Sequence, residues 1–369
     1  MKIGVDCRLS GLHNAGIGRY ISNLVVRLPQ IDQNVFWVFF FLSTAQAEEV
    51  LGNLIKHKNI KIVLAPIRHY SLKEQFLFPL IVLRERLDLF YVPHFNIPVF
   101  YPGKIVITIH DLLWHQQRGS EVTTLSNWVY WLKYFGYLLT VTVASIRAKL
   151  IFVPSNFVKD DLGSFYPWTK QKTVVTFEGV DQHYLNKKIP VSSKKRKKRL
   201  IYTGSLYPHK NLQLVLKSLS QLPSYQLIII GSRNIFQDKT KELIKQLAVG
   251  KQVTFAGYLS DQQLIEVYNQ SFALVVPSLS EGFGLPGVEA MAVGLPVLAS
   301  DIPVFREIYQ QGVIYFDPSS VQSFVAAVKK LEKTNLQVLT KTAKEISQQY
   351  SWNKTANIIL SLSCRLFNK

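Results

Sequence analysis

The chain has 369 residues, 48% of them in the hydrophobic set, and a formal net charge of +19 from 43 Lys plus Arg against 24 Asp plus Glu. A length beyond the roughly 250 to 300 residues at which single cores stop growing calls for two domains, and the apolar content excludes a disordered chain. The two cysteines, Cys7 and Cys364, lie at opposite ends with no CxxC pair or Cys/His cluster, which excludes a disulfide framework and a structural zinc site and fits a reducing compartment.

In chain order, Met1 to Asp6 lacks the apolar core of a signal peptide and reads as a first strand, so no export is expected. Further apolar runs at Val35 to Leu42, Ile60 to Leu64, Leu89 to Val92, Ile105 to Ile109, Leu150 to Val153 and Thr173 to Thr176 alternate with helical patterns. Several are apolar without alternation, as parallel strands covered on both faces must be. The segment Val122 to Ile146 carries one charge, Lys133, and approaches bilayer length, but its Thr, Ser and Asn residues point to a buried or interfacial helix. Its stretch Trp128 to Tyr137 is a candidate contact with an anionic membrane surface.

The alternation breaks over residues 182–199, where a polar stretch runs into six consecutive basic residues, Lys194 to Arg199, and a linker is expected. It restarts at Leu200 to Thr203, Gln226 to Ile230, Gln252 to Phe255, Ala273 to Val276, Pro296 to Ala299 and Val313 to Tyr315. Helical segments Ser320 to Glu332, Leu336 to Gln349 and Trp352 to Phe367 close the chain. The expected domains are 1–181 and 200–351, joined by the linker 182–199. Each is doubly wound α/β, with a ligand cleft at the carboxyl ends of the strands.

Four motifs fall on loops after strands. Gly16-Ile17-Gly18-Arg19-Tyr20 precedes a helical run from Ile21 to Leu28; its glycines admit close backbone approach by a ligand, while Ile21 replaces the third Gly of a nicotinamide fingerprint. His110-Asp111 stands at a strand end, where the imidazole can bond a polar ligand and the Asp can cap a turn or orient the ring. Gly204 and Ser205 open a loop leading to Lys210 at a helix mouth, a position that favours a bound anion. The most specific motif runs from Ser278 to Glu289: Glu281 and a Gly-rich turn, Gly282-Phe283-Gly284-Leu285, precede Pro286 at a helix start, with Glu289 placed in the first turn. Carboxylates here suit sugar and ribose hydroxyls.

With these motifs, Pro154-Ser155-Asn156-Phe157, Gly179-Val180-Asp181 and the Glu-x7-Glu spacing of Glu281 and Glu289, the chain resembles retaining glycosyltransferases of the GT-B fold, family 4, over nearly its whole length. The resemblance implies a nucleotide-sugar donor on the C-terminal domain and a glycan or lipid-linked acceptor on the N-terminal one. It implies that Glu289 binds the ribose, Glu281 the transferred sugar and Lys210 the diphosphate. Gly16 and Gly18 approach that diphosphate and His110 lines the reaction centre. It also implies retention of anomeric configuration, and that the closing segment 352–369, after Ser351-Trp352, crosses back onto the N-terminal domain. Many members carry an Arg where Ser205 stands, so the expectation is either a weaker neutralisation of the diphosphate or another cation in that role, such as Arg19 or Arg233.

The absence of an Asp-x-Asp motif leads to the expectation of a metal-independent hexosyl transfer with no cofactor. GDP-mannose is the first expected donor and a UDP-sugar the second. An epimerase or hydrolase of the same fold is the alternative enzyme. Nucleic-acid binding through Lys194 to Arg199 is the alternative of another class, disfavoured because the run lacks aromatics. A cytoplasmic enzyme, peripheral at the inner face of the plasma membrane, is expected.

Overall fold

The computed structural model describes residues 1–11, 14–116, 126–185, 197–231 and 236–366. They form two compact units, one of residues 1–116, 126–179 and 352–366, the other of residues 180–351.

The first unit holds seven strands: β1 (Lys2–Asp6), β2 (Phe36–Phe41), β3 (Ile60–Leu64), β4 (Leu89–Val92), β5 (Ile105–Thr108), β6 (Leu150–Val153) and β7 (Thr173–Val175). They pair in parallel in the order β3-β2-β1-β4-β5-β6-β7. β2 reads Phe-Trp-Val-Phe-Phe-Phe and five of its six residues are buried, because helices cover both faces and leave no place for alternation. The second unit holds β8 (Arg199–Thr203), β9 (Gln226–Ile230), β10 (Val253–Gly257), β11 (Ala273–Val276), β12 (Val297–Ser300) and β13 (Ile314–Phe316), parallel in the order β10-β9-β8-β11-β12-β13. Every strand read from sequence is present within two residues of its expected ends.

Both orders reverse once, between β1 and β4 and between β8 and β11. At such a point successive connections leave toward opposite edges of the sheet, and the loops beyond the carboxyl ends part to form a crevice. The loops after β1, β4, β8 and β11 are therefore the places for chemistry.

Two expected boundaries differ. Gln182–Leu185, assigned to the linker, is a helical turn in the second unit: Tyr184 is buried and its hydroxyl donates to Asp261 Oδ1 at 2.7 Å. The expected linker also ran too far, since Lys197 donates its N–H to the Gln270 carbonyl, Lys198 pairs with Glu332 at 3.0 Å, and Arg199 opens β8. The rest of that segment, including Lys194 to Arg196, lies outside the described residues, as do Arg233, Val122 to Leu125 and Phe367. The closing helix, Trp352–Arg365, belongs to the first unit, where Trp352 is buried edge-on to Tyr20 and Thr355 donates to the Phe177 carbonyl.

Candidate active site

In the second unit, Lys210 ends a short 3-10 turn, Pro208–Lys210, after β8, and Glu281 lies on the loop after β11. The reversal between β8 and β11 brings these loops together: Leu279 donates its N–H to the His209 carbonyl at 2.8 Å, and Lys210 Nζ meets Glu281 Oε1 at 2.5 Å. Ser278 Oγ donates to the same oxygen at 2.8 Å. Glu281 is 16% exposed on its side chain; burial alone would raise its pKa, but the Lys210 ammonium, with His209 and Ser278, holds it below the usual carboxylate range. His209 is pushed down to about 4, by burial first and then by Lys210, so at neutral pH its ring is uncharged.

The loop continues into the helix Leu285–Val293, entered through Gly284 at φ 94° with Pro286 in the first turn. Tyr309 fixes this entry: its hydroxyl donates to the Gly284 carbonyl at 2.7 Å, and a Cβ at Gly284 or Gly287 would collide with that ring. Glu289 is 3% exposed. On the β8 side, Gly204 donates to the Ile230 carbonyl at 3.0 Å and Tyr202 donates to the Ser205 carbonyl. Burial raises the Tyr202 pKa, and the nearby Glu281 charge raises it further.

In the first unit, His110 follows β5. Its Nε2–H donates to the Pro93 carbonyl after β4 at 3.1 Å, and its Nδ1 lies 3.4 Å from Glu178 Oε1. Tyr20 packs edge-on against the imidazole at 4.6 Å between centroids. Its hydroxyl, with pKa raised to about 12 by burial, bonds those of Tyr91 and Thr108 at 3.1 and 3.2 Å. Next to this group, Arg8 is fully buried, with Asp6 at 2.7 Å, Glu74 at 2.8 Å and the Ile67 carbonyl at 3.0 Å. Burial works to raise the Asp6 pKa, yet Arg8 draws it below the ordinary value. A buried cation held this way fixes the chain leaving β1, since losing both carboxylates would strand its charge.

Two protein-family descriptions match in tandem: Glycosyltransferase Family 4 over residues 14–184 and Glycosyl transferases group 1 over residues 186–360. The chain belongs to this glycosyltransferase family. An O-antigen chain mannosyltransferase, RfbU of Salmonella typhimurium, is 28% identical over 80% of this chain and 79% of its own length. Sucrose-phosphate synthase from Thermosynechococcus elongatus superposes with TM-score 0.76 at 16% identity, covering 100% of this chain and 99% of that one. Anabaena HepE in complex with UDP-glucose gives 0.73 at 19% identity, covering 98% and 99%. The fold is GT-B.

For this glycosyltransferase, the site residues expected from sequence fall as follows. Lys210 and Glu281 are in contact; Gly282 to Leu285 lead from Glu281 into the helix, and Gly204 and Ser205 lie on the loop between β8 and Lys210. Gly16 and Gly18 are not in a loop: the helix begins at Ala15 and ends at Val25, so both lie in its first turn. A Cβ at Gly18 would strike the Gly11 carbonyl, whereas one at Gly16 would meet nothing, which leaves Gly16 alone open to a ligand. Glu289 is the fifth residue of its helix and lies in the second turn.

Nor does Lys210 need a bound anion to balance its charge, since Glu281 already neutralises it. Asp111 caps the turn through Leu113 N–H at 3.1 Å, and Glu178 faces the His110 ring instead. Arg19 is half-buried, on the helix that carries Tyr20. Glu178, Tyr309 and Arg8 were missed. Only Glu178 left a signal, a carboxylate directly before Gly179-Val180-Asp181.

Proposed function

We propose that the chain transfers a mannosyl group from GDP-mannose to a glycan or lipid-linked acceptor, with retention of configuration and without a metal ion. The observation that carries this reading is the Lys210–Glu281 pair at the strand-order reversal of the second unit, beside a Gly-entered helix start. A pair of this kind can exchange partners. Lys210 turns to the donor's diphosphate, and the freed Glu281 carboxylate accepts from hydroxyls of the sugar, so each charge trades one partner for another.

As the bond between C1 and the phosphate oxygen breaks, negative charge grows on the diphosphate, where Lys210 and the helix-start N–H groups stabilise it. The acceptor oxygen bonds C1 and its proton passes to the departing phosphate. Glu289 supports the ribose, and His110, held by Pro93 and Glu178, lines the acceptor side. The similarity to an O-antigen chain mannosyltransferase of Salmonella favours GDP-mannose. The UDP-glucose of the Anabaena structure is the ground for ranking a UDP-sugar second.

The test is a nucleotide-sugar panel with and without acceptor, followed by mass spectrometry and by NMR of the anomeric proton. Mannosyl product of the donor's own configuration, unchanged by a chelator, is expected. Free sugar formed equally well without acceptor would assign a hydrolase, and an epimerised donor an epimerase.

A further inference from the structure

Two helices of the first unit are apolar on both sides. Leu72–Arg84 packs Phe78 and Val82 into the core, yet exposes Leu72, Phe76, Leu80 and Leu83, spaced i, i+4, i+8 and i+11 along its outer side. Asn127–Arg147 buries Tyr130, Tyr134, Val141 and Ala144 and exposes Trp128, Trp131, Leu132, Phe135 and Leu139. This second helix is long and apolar enough to cross a bilayer, but its buried residues tie it along the unit's core.

The two helices lie on one face of the sheet. The connections from β3 to β4 and from β5 to β6 run the same way along the strand order, and crossovers of one hand then fall on one side. Phe78, Val82, Val141 and Ala144 share one core cluster, as this requires. The loop between β4 and β5 bridges them: Phe100, itself exposed, stacks on Phe76 at 5.1 Å, while Arg147 donates to the Val99 carbonyl at 2.6 Å. Exposed large apolar residues grouped on two helices of one face, unlike single scattered ones, mark an interaction surface.

Charge selects the occupant. The exposed charged residues of these helices are Lys73, Arg84 and Lys133, and their one acid, Glu74, is buried against Arg8. Lys149 and Lys170 add exposed cations on the flanking segments. A second copy related by a two-fold axis would set this cationic surface against itself, between chains of charge +19. An anionic lipid surface complements both the aromatic and the basic side chains. We propose that this face docks on an anionic bilayer, with the Trp and Phe side chains at headgroup level and the cations among lipid phosphates. The proposal goes beyond the donor reading and does not depend on it.

The test is cosedimentation of the full chain with vesicles of phosphatidylglycerol and phosphatidylcholine in equal parts, against phosphatidylcholine alone, with sedimentation equilibrium in parallel. Binding to the anionic vesicles is expected, weakened but not abolished by salt. Replacing Lys73, Arg84 and Lys133 by Gln should weaken it roughly a hundredfold, each cation contributing about fivefold. Phe76→Ser with Trp131→Ser should weaken it by about tenfold or more at any salt. Because these side chains point outward, circular dichroism and the melting temperature should stay unchanged. Full recovery in the supernatant at low salt would overturn the proposal, as would variants that pellet like the parent. A dimer that the Phe76/Trp131 variant converts to monomer would assign the face to a second copy instead.

Discussion

The helices Leu285–Val293 and Asn127–Arg147 are both rich in apolar residues and are used in opposite ways. Eight of the nine residues of the first are buried, against five of the 21 of the second. A helix apolar all round belongs in a core, and there it can hold a carboxylate such as Glu289 rigidly in place. A helix apolar on two faces satisfies only one by folding. The second unit is thus built around a fixed site, whereas the first carries a site and an uncovered surface.

Four variants can break or sharpen that contrast. The largest effect is expected from Lys210→Ala, which removes the cation proposed to face the departing diphosphate: kcat should fall about 10²- to 10³-fold, and the GDP thermal shift should shrink. His110→Ala should lower kcat about 10²-fold while leaving the GDP shift intact, a split that assigns chemistry to the first unit and donor affinity to the second. Equal loss of both readouts in the two variants would abolish the division.

Gly284→Ala tests rigidity. Its φ of 94° and the Tyr309 ring leave no room for a methyl group, so a loss of about 1 to 3 kcal/mol is expected in denaturant unfolding. The smallest effect is a pH dependence. The His209 pKa is depressed to about 4 from its ordinary value of 6.5, so the stability it contributes is complete above pH 6.5 and is lost as pH falls toward 4. Thermal melts across that window should fall more steeply for the parent chain than for His209→Gln.

The strands were legible because a parallel strand buried on both faces has to be a short apolar run, and punctuation by Gly, Pro and charge marks its ends. The start of the first helix was not: Gly16 and Gly18 disfavour a helix locally, yet Gly18 is required there by the approach of the Gly11 carbonyl. Of the second unit's site, sequence supplied the participants but not their pairing. Lys210 and Glu281 are 71 residues apart, and only the strand order makes them neighbours. Tyr309 was invisible because its role, bracing Gly284, is defined by a contact across the fold. The outer stripe of Leu72–Arg84 was also hidden, since Leu-Lys-Glu-Gln-Phe-Leu-Phe-Pro-Leu-Ile-Val-Leu-Arg is apolar on too many sides to show which face is covered.

The closing helix carries a consequence for biosynthesis. Trp352, 2% exposed against Tyr20, completes a core whose strands end at Val175. A ribosome therefore finishes the whole second unit before it delivers the last piece of the first. Removing that one side chain would cost about 3 to 5 kcal/mol. During translation the first unit waits without the indole that packs on Tyr20, which reverses the usual order in which N-terminal domains mature first.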